Sequence, residues 1–253
     1  MDSALTVQAR VVYALVLHQI HTQYGKMRLG YLWALFDTAW RVVMFWIMRT
    51  VMGFKPPHGM SILLFLLMGF GVYQIFRHTV TKCMGIKGGK MLTFPMITKL
   101  DLCISRTIVI WATEIVTGAL MLAVGSLMGI EICVSNWGGL LFVILIIPLY
   151  GFSVGVLMES LSILYPMLDK IIKLLLRAGA WISGVFYSVS SFPSSVMKYL
   201  WYNPLLQLIE IGRESMSRGY DAMNYSYLYV SSVAAACLCL GLLLERYVRR
   251  NRR

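Results

Sequence analysis

Acidic side chains are scarce in this chain. Asp and Glu together number 11 in 253 residues, and charged residues of either sign make up 13% against 58% hydrophobic. A water-soluble domain of this length needs far more charge to cover its surface, so the composition points to a lipid bilayer. Histidine is rarer still, and none of His18, His21, His58 and His78 adjoins an acid in sequence. A membrane-surface synthase or acyltransferase would need a catalytic His or Asp there. His18 and His21 share a helix face at i, i+3 without a third ligand nearby, which reads as interfacial packing.

Cys83, Cys103, Cys133, Cys237 and Cys239 form no CxxC pair and fall on different sides of the predicted membrane, so neither a disulfide framework nor a zinc site is indicated. Apolar–polar alternation is also missing, and open sheet edges cannot face lipid, so strands are not expected. The stretch GIKGGKML at 85–92 imitates a phosphate-binding loop. Gly85 to Gly89 is one residue short of GxxxxGK, however, and Met91 stands where Ser or Thr would hold magnesium. No hydrolytic signature appears either. Any ATP hydrolysis would come from another chain.

What is abundant is apolar runs long enough to cross about 30 Å of hydrocarbon, which takes roughly 20 residues. Six are expected as spans, at Tyr31–Gly53, Ser61–Val80, Thr107–Gly129, Gly139–Leu164, Ile171–Ser191 and Ser226–Glu245. The first is too long for a signal-peptide core and has no small-residue cleavage site after it, so it is expected to be retained. Lys and Arg collect on one face: Arg10, Lys26 and Arg28; Lys82, Lys87, Lys90, Lys99 and Arg106; Lys170 and Lys173; and the tail from Arg246 to Arg253. The other face receives only Lys55, Lys198, Arg213 and Arg218. By the positive-inside rule both termini are cytoplasmic, and the net charge of +12 reflects that rule and contact with anionic lipid heads, not nucleic acid.

Irregular features remain. In LTVQARVVYALVLHQIHTQY, Leu5, Ala9, Val12, Val16, Ile20 and Tyr24 share one face, which reads as an amphipathic helix in the interface or one packed on the protein itself. Asp37 and Arg41 are i, i+4 in the first span, either as a structural pair or with Arg41 facing an anionic substrate. Glu114 and Glu159 lie inside spans, where an acid needs a partner or water. Gly125–Gly129 and Gly151–Gly155 read as packing devices. Trp33, Trp137, Trp181, Trp201 and Tyr202 lie near span ends, as interfacial belts do.

The stretches GKMRLGYLWALFD, LTFPMITKLDLCISR and WYNPLLQLIEIGRESMSRGY, in this order and spacing, resemble the permease subunits of ABC-2 type exporters, in the branch that exports capsular polysaccharide from Gram-negative bacteria. The resemblance covers almost the whole chain. One departure is Asp37–Thr38, where that family often has an acid followed by proline. It implies an all-α polytopic protein: six transmembrane helices, an N-terminal amphipathic interface helix over 1–30, a permease domain over 31–253, and short re-entrant helices before the last span.

The resemblance further implies a homodimer with two ATPase subunits below it, which use ATP and magnesium while this chain binds no cofactor. A periplasmic adaptor and an outer-membrane channel would continue the path. Coupling segments would lie near 91–106 and 165–173, with Pro95, Lys99, Asp101, Arg106, Asp169 and Lys170 as contacts. A periplasmic gate would occupy 192–224, with Asn203, Pro204, Glu210, Arg213 and Glu214 at the exit, paired with one another or across the dimer axis. Arg28, Trp33, Asp37, Trp40 and Arg41 are candidates for the substrate path. The substrate would be a lipid-linked or long anionic polysaccharide. The competing readings are an O-antigen or other glycan exporter of the same architecture and a membrane subunit of a polysaccharide synthase.

Overall fold

The computed structural model describes residues 4–24, 30–53, 59–86, 97–189, 194–220, 222 and 225–251. Within those ranges the side chains of 4, 5, 23, 24, 30–35, 37, 38 and 194 are not described. The described residues are helical or irregular, with no strand among them. In chain order the helices are α1 (Ala4–Tyr24), α2 (Gly30–Val51), α3 (Ile62–Met84), α4 (Lys99–Leu127), α5 (Trp137–Leu164), α6 (Pro166–Ile182), α7 (Ser194–Leu200), α8 (Pro204–Ser215) and α9 (Tyr227–Asn251).

Four of these, α3, α4, α5 and α9, are long and apolar enough to cross a membrane. The other two expected spans differ for physical reasons. Helix α2 carries Asp37, Arg41 and Arg49 along its 22 residues. The expected fifth span, Ile171–Ser191, is corrected: α6 begins earlier, at Pro166, runs 17 residues through Lys170, Lys173 and Arg177, and stops at Ile182. At 1.5 Å per residue that is about 26 Å, short of the hydrocarbon thickness. Gly184, at φ +74°, then turns the chain out of the helix. The coupling segment expected near 91–106 is likewise continuous, from Lys99 on, with the third span, giving one 29-residue α4.

Helix α3 is the hub, buried along most of its length and packed on α2, α4, α5, α6 and α8. Its tightest neighbour is α5, where Gly151 and Gly155 let the backbones close: a Cβ on Gly155 would stand 2.8 Å from the Cys83 Cβ. Pro148 inside α5 has no N–H to give the Ile144 carbonyl four residues back. The Trp111 indole of α4 donates to that carbonyl at 2.9 Å and so repairs the ladder. On the far side α9 lies along α5.

Helix α1 packs on α4 with a register different from the expected one. Leu15 and Val11 face the cluster of Cys83, Ile86, Leu102 and Cys103, while Ala9 and Ile20 are exposed. The stripe that packs is thus one turn-position away from the one the pattern suggested. Side-chain rows Tyr13, Leu17 and Ile20 on α1, and Phe36, Trp40, Met44 and Ile47 on α2, are left as apolar surface. Such continuous faces belong against lipid or another protein.

Candidate functional site

Between α6 and α9 the chain makes two short helices, α7 and α8, broken at Trp201–Asn203. The break is written in the sequence. Asn203 caps α8, its side-chain oxygen accepting from the Leu205 and Leu206 amides at 3.1 and 3.4 Å, and Pro204 at the first helical position has no N–H that needs a partner.

Helix α8 is buried on every side, against α3, α5 and α9. Leu206, Leu208 and Ile209 are fully enclosed by the protein itself, which accounts for the apolar character of this segment. Apolar burial is not directional, so hydrogen bonds and close packing must fix the position of α8. The cluster around Arg213 supplies them. Its guanidinium donates to Glu210 Oε1 at 3.1 Å, to the Val185 carbonyl at 2.9 Å, to the Tyr187 carbonyl at 3.2 Å and to the Phe65 carbonyl at 3.4 Å. Its Cζ also lies 3.5 Å from the centre of the Phe65 ring.

The pair is dry, with 0% and 1% side-chain exposure for Arg213 and Glu210. On the other side of Glu210 the Tyr220 hydroxyl donates to both carboxylate oxygens, at 2.9 and 3.0 Å. That uses the only phenolic proton, so Ser188, 3.0 Å away, is the donor to Tyr220. Burial and the Glu210 carboxylate both push the Tyr220 hydroxyl above its ordinary range, which keeps it a donor. Gly69 on α3 makes room: a Cβ there would lie 2.9 Å from both the Arg213 Nη2 and the Val185 carbonyl.

Both ends of α8 are tied as well. Gln207 donates to the Trp201 carbonyl at 2.7 Å and accepts from the Ser226 amide at 3.0 Å. The α4–α5 connection reaches over, with the Ser135 amide and hydroxyl bonding the carbonyls of Ser215 and Glu214 at 2.9 and 2.7 Å. Glu214 itself turns towards Tyr225, whose hydroxyl is raised by burial and by hydrogen bonds with Tyr227 and Glu214. Arg213 therefore joins three elements: α8, α3 and the 185–188 segment that leaves α6.

The other expected site residues lie elsewhere. Asp101 is 1% exposed and turned inward. It forms a capping box with Thr98 and accepts from Gln8 of α1 at 2.8 Å, so it organises the start of α4 without presenting a charge. Lys99 is half-buried beside it, and Arg106 reaches back to the Lys82 carbonyl at 2.5 Å. Asp169 pairs with Lys173 at 2.8 Å on the first turns of α6, next to exposed Lys170. Trp40 is exposed and stacked on Phe36, and Arg41 is half-buried. Arg28 and Pro95, and the side chains of Trp33 and Asp37, lie outside the described residues.

Two partners were not legible locally. Glu114 meets the His78 Nδ1 of α3 at 3.0 Å, and Glu210 meets Tyr220 across the end of α8. No short-range spacing encodes the first contact; the second follows only once α8 is known to end at Ser215.

No family model matches the chain. It is 27% identical over 247 residues to the polysialic acid transport protein KpsM of Escherichia coli, covering 96% of this chain and 95% of that protein. It is 23% identical over 254 residues to the capsule polysaccharide export inner-membrane protein BexB of Haemophilus influenzae, covering 96% and 92%. With the protein CtrC of Neisseria meningitidis serogroup B, which carries the same description as BexB, identity is 22% over 227 residues, covering 88% and 84%. This end-to-end likeness, together with four helices long and apolar enough to cross a membrane, makes the chain similar over most of its length to inner-membrane proteins of capsule polysaccharide export.

Proposed function

We propose that this chain is the membrane-spanning permease subunit of an exporter that moves capsular polysaccharide outward across the inner membrane, with ATP hydrolysis supplied by a separate chain. The observation that carries this reading is the alignment from end to end with export proteins of three bacteria, which favours export over polymer synthesis. Two copies, each with six membrane-embedded helices, would enclose a polymer-sized path. Both termini would lie in the cytoplasm.

The geometry suggests how the stroke is passed across the membrane. Helix α6 begins at the exposed Pro166–Lys170 turn, the proposed ATPase contact, and its exit at Val185 and Tyr187 is held by Arg213. A displacement at the exposed start of α6 thus reaches α8 through one continuous helix and a set of hydrogen bonds at its far end. In this reading 192–224 is the outward gate, and the Glu210–Arg213–Tyr220 cluster is the joint that makes α6 and α8 move together. Segment 97–106, pinned to α1 through Gln8–Asp101, is the second contact.

The test is uptake of labelled capsular polymer into inside-out membrane vesicles containing this chain and its ATPase. ATP-dependent uptake, abolished by removing the chain, is expected; uptake indifferent to the chain would refute the reading. A Glu210→Ala variant that inserts normally and transports at the unaltered rate would refute the joint alone.

A further inference from the structure

The geometry points to a binding site for one anionic phospholipid at the bundle end where α4 starts and α5 and α9 finish. Two recesses of about 340 and 790 Å³ adjoin there and share Leu100, Glu245 and Arg249. Along α9, Leu242 precedes Arg246, Arg249 and Arg250 on one face; α4 adds Lys99, Leu100 and Cys103; and α5 adds Val156, Glu159, Ser160 and Ile163. The lining is thus largely apolar, with buried Glu159 and Ser160 as polar exceptions on α5, and Lys99 and the α9 arginines supply its positive charge.

The charge balance favours an anion. Glu245 is engaged by Arg249 at 2.7 Å, and Glu159 is buried at 4% exposure. Lys99, Arg246 and Arg250 then leave the lining positive. A free phosphate would use the cations and leave the apolar lining without purpose, whereas a diacyl phosphate lipid uses both: phosphate against the arginines, acyl chain along Leu100, Cys103 and Leu242. Basic pockets between helices at this depth recognise such headgroups. The site joins α4, which begins at the Thr98 capping box, to α9, so an occupied site would brace the α4 start against the end of the chain.

The test is native mass spectrometry of the purified full-length protein after equilibration with phosphatidylglycerol or phosphatidylcholine. Phosphatidylglycerol should be retained at one copy per chain and phosphatidylcholine released. Each surface cation contributes about a five-fold effect, so Arg246→Gln with Arg250→Gln should weaken retention about thirty-fold. Leu100→Trp, which fills the recess with all charges intact, should also expel the lipid, so the result does not depend on one variant. Equal retention of the two lipids, unchanged retention in both variants, or displacement by millimolar inorganic phosphate would overturn the proposal.

Discussion

Truncating Arg213 to alanine tests the buried cluster most sharply, because its guanidinium ties α8 to α3 and to the 185–188 segment. The variant leaves the Glu210 carboxyl in a dry site with Tyr220 as its remaining donor and strips the Val185 and Tyr187 carbonyls of theirs. Removing one member of a buried ion pair costs about 3–5 kcal/mol. A desolvated cation–π contact contributes up to about 2 kcal/mol, but these contributions overlap, so the total should remain near 3–5 kcal/mol. Arg213→Lys should recover only part of it, since an ammonium can reach Glu210 but cannot fork to two carbonyls while lying on the Phe65 ring. The assay is equilibrium unfolding in mixed detergent, run as a cycle with Glu210→Gln and the double variant Glu210→Gln/Arg213→Ala. The double variant should be less destabilised than the sum of the singles by more than about 1 kcal/mol, since it leaves no lone buried charge. Additivity within about 0.5 kcal/mol would refute the cluster as a unit.

Gly69→Val should destabilise by about 1–3 kcal/mol, because a Cβ would stand 2.9 Å from the Val185 carbonyl as well as from Arg213; a variant as stable as the parent would contradict that packing. Asp101→Ala removes the capping box and the tie to Gln8, so hydrogen exchange over α1 and the first turn of α4 should rise, with about 1–2 kcal/mol lost; unchanged exchange over α1 would contradict the tie. Lys170→Glu reverses an exposed charge at the start of α6 and should leave unfolding within about 0.5 kcal/mol while reducing recovery of the ATPase with the chain; normal recovery would remove Lys170 from that contact.

The all-helical, membrane-crossing class was legible in the sequence because 20-residue apolar runs have few alternative structures in lipid. Helices α3, α4, α5 and α9 overlap the expected runs and extend past them, most at the ends where Lys99 or Arg246–Arg250 continue the helix. Helix α6 was misjudged because its charges at 170, 173 and 177 sit on one face, so an apolar count over 171–191 ran past the turn at Gly184. The register of α1 failed for a related reason: several apolar stripes fit its composition, and the choice of Leu15 depends on Cys103 and Leu102 of a distant helix. At the candidate site, Asn203–Pro204 announced the start of α8, and the spacing of Glu210 and Arg213 announced their pairing. That the pair is enclosed within a single chain was not legible, since the carbonyls of Phe65, Val185 and Tyr187 carry no sequence signal.

The most direct measurement is the location of capsular polymer in cells lacking this chain, quantified separately inside the cell and at its surface. Export predicts polymer trapped inside and missing from the surface, restored by the parent gene. Loss from both compartments would instead place the chain in polymer synthesis and contradict the assignment as an export permease.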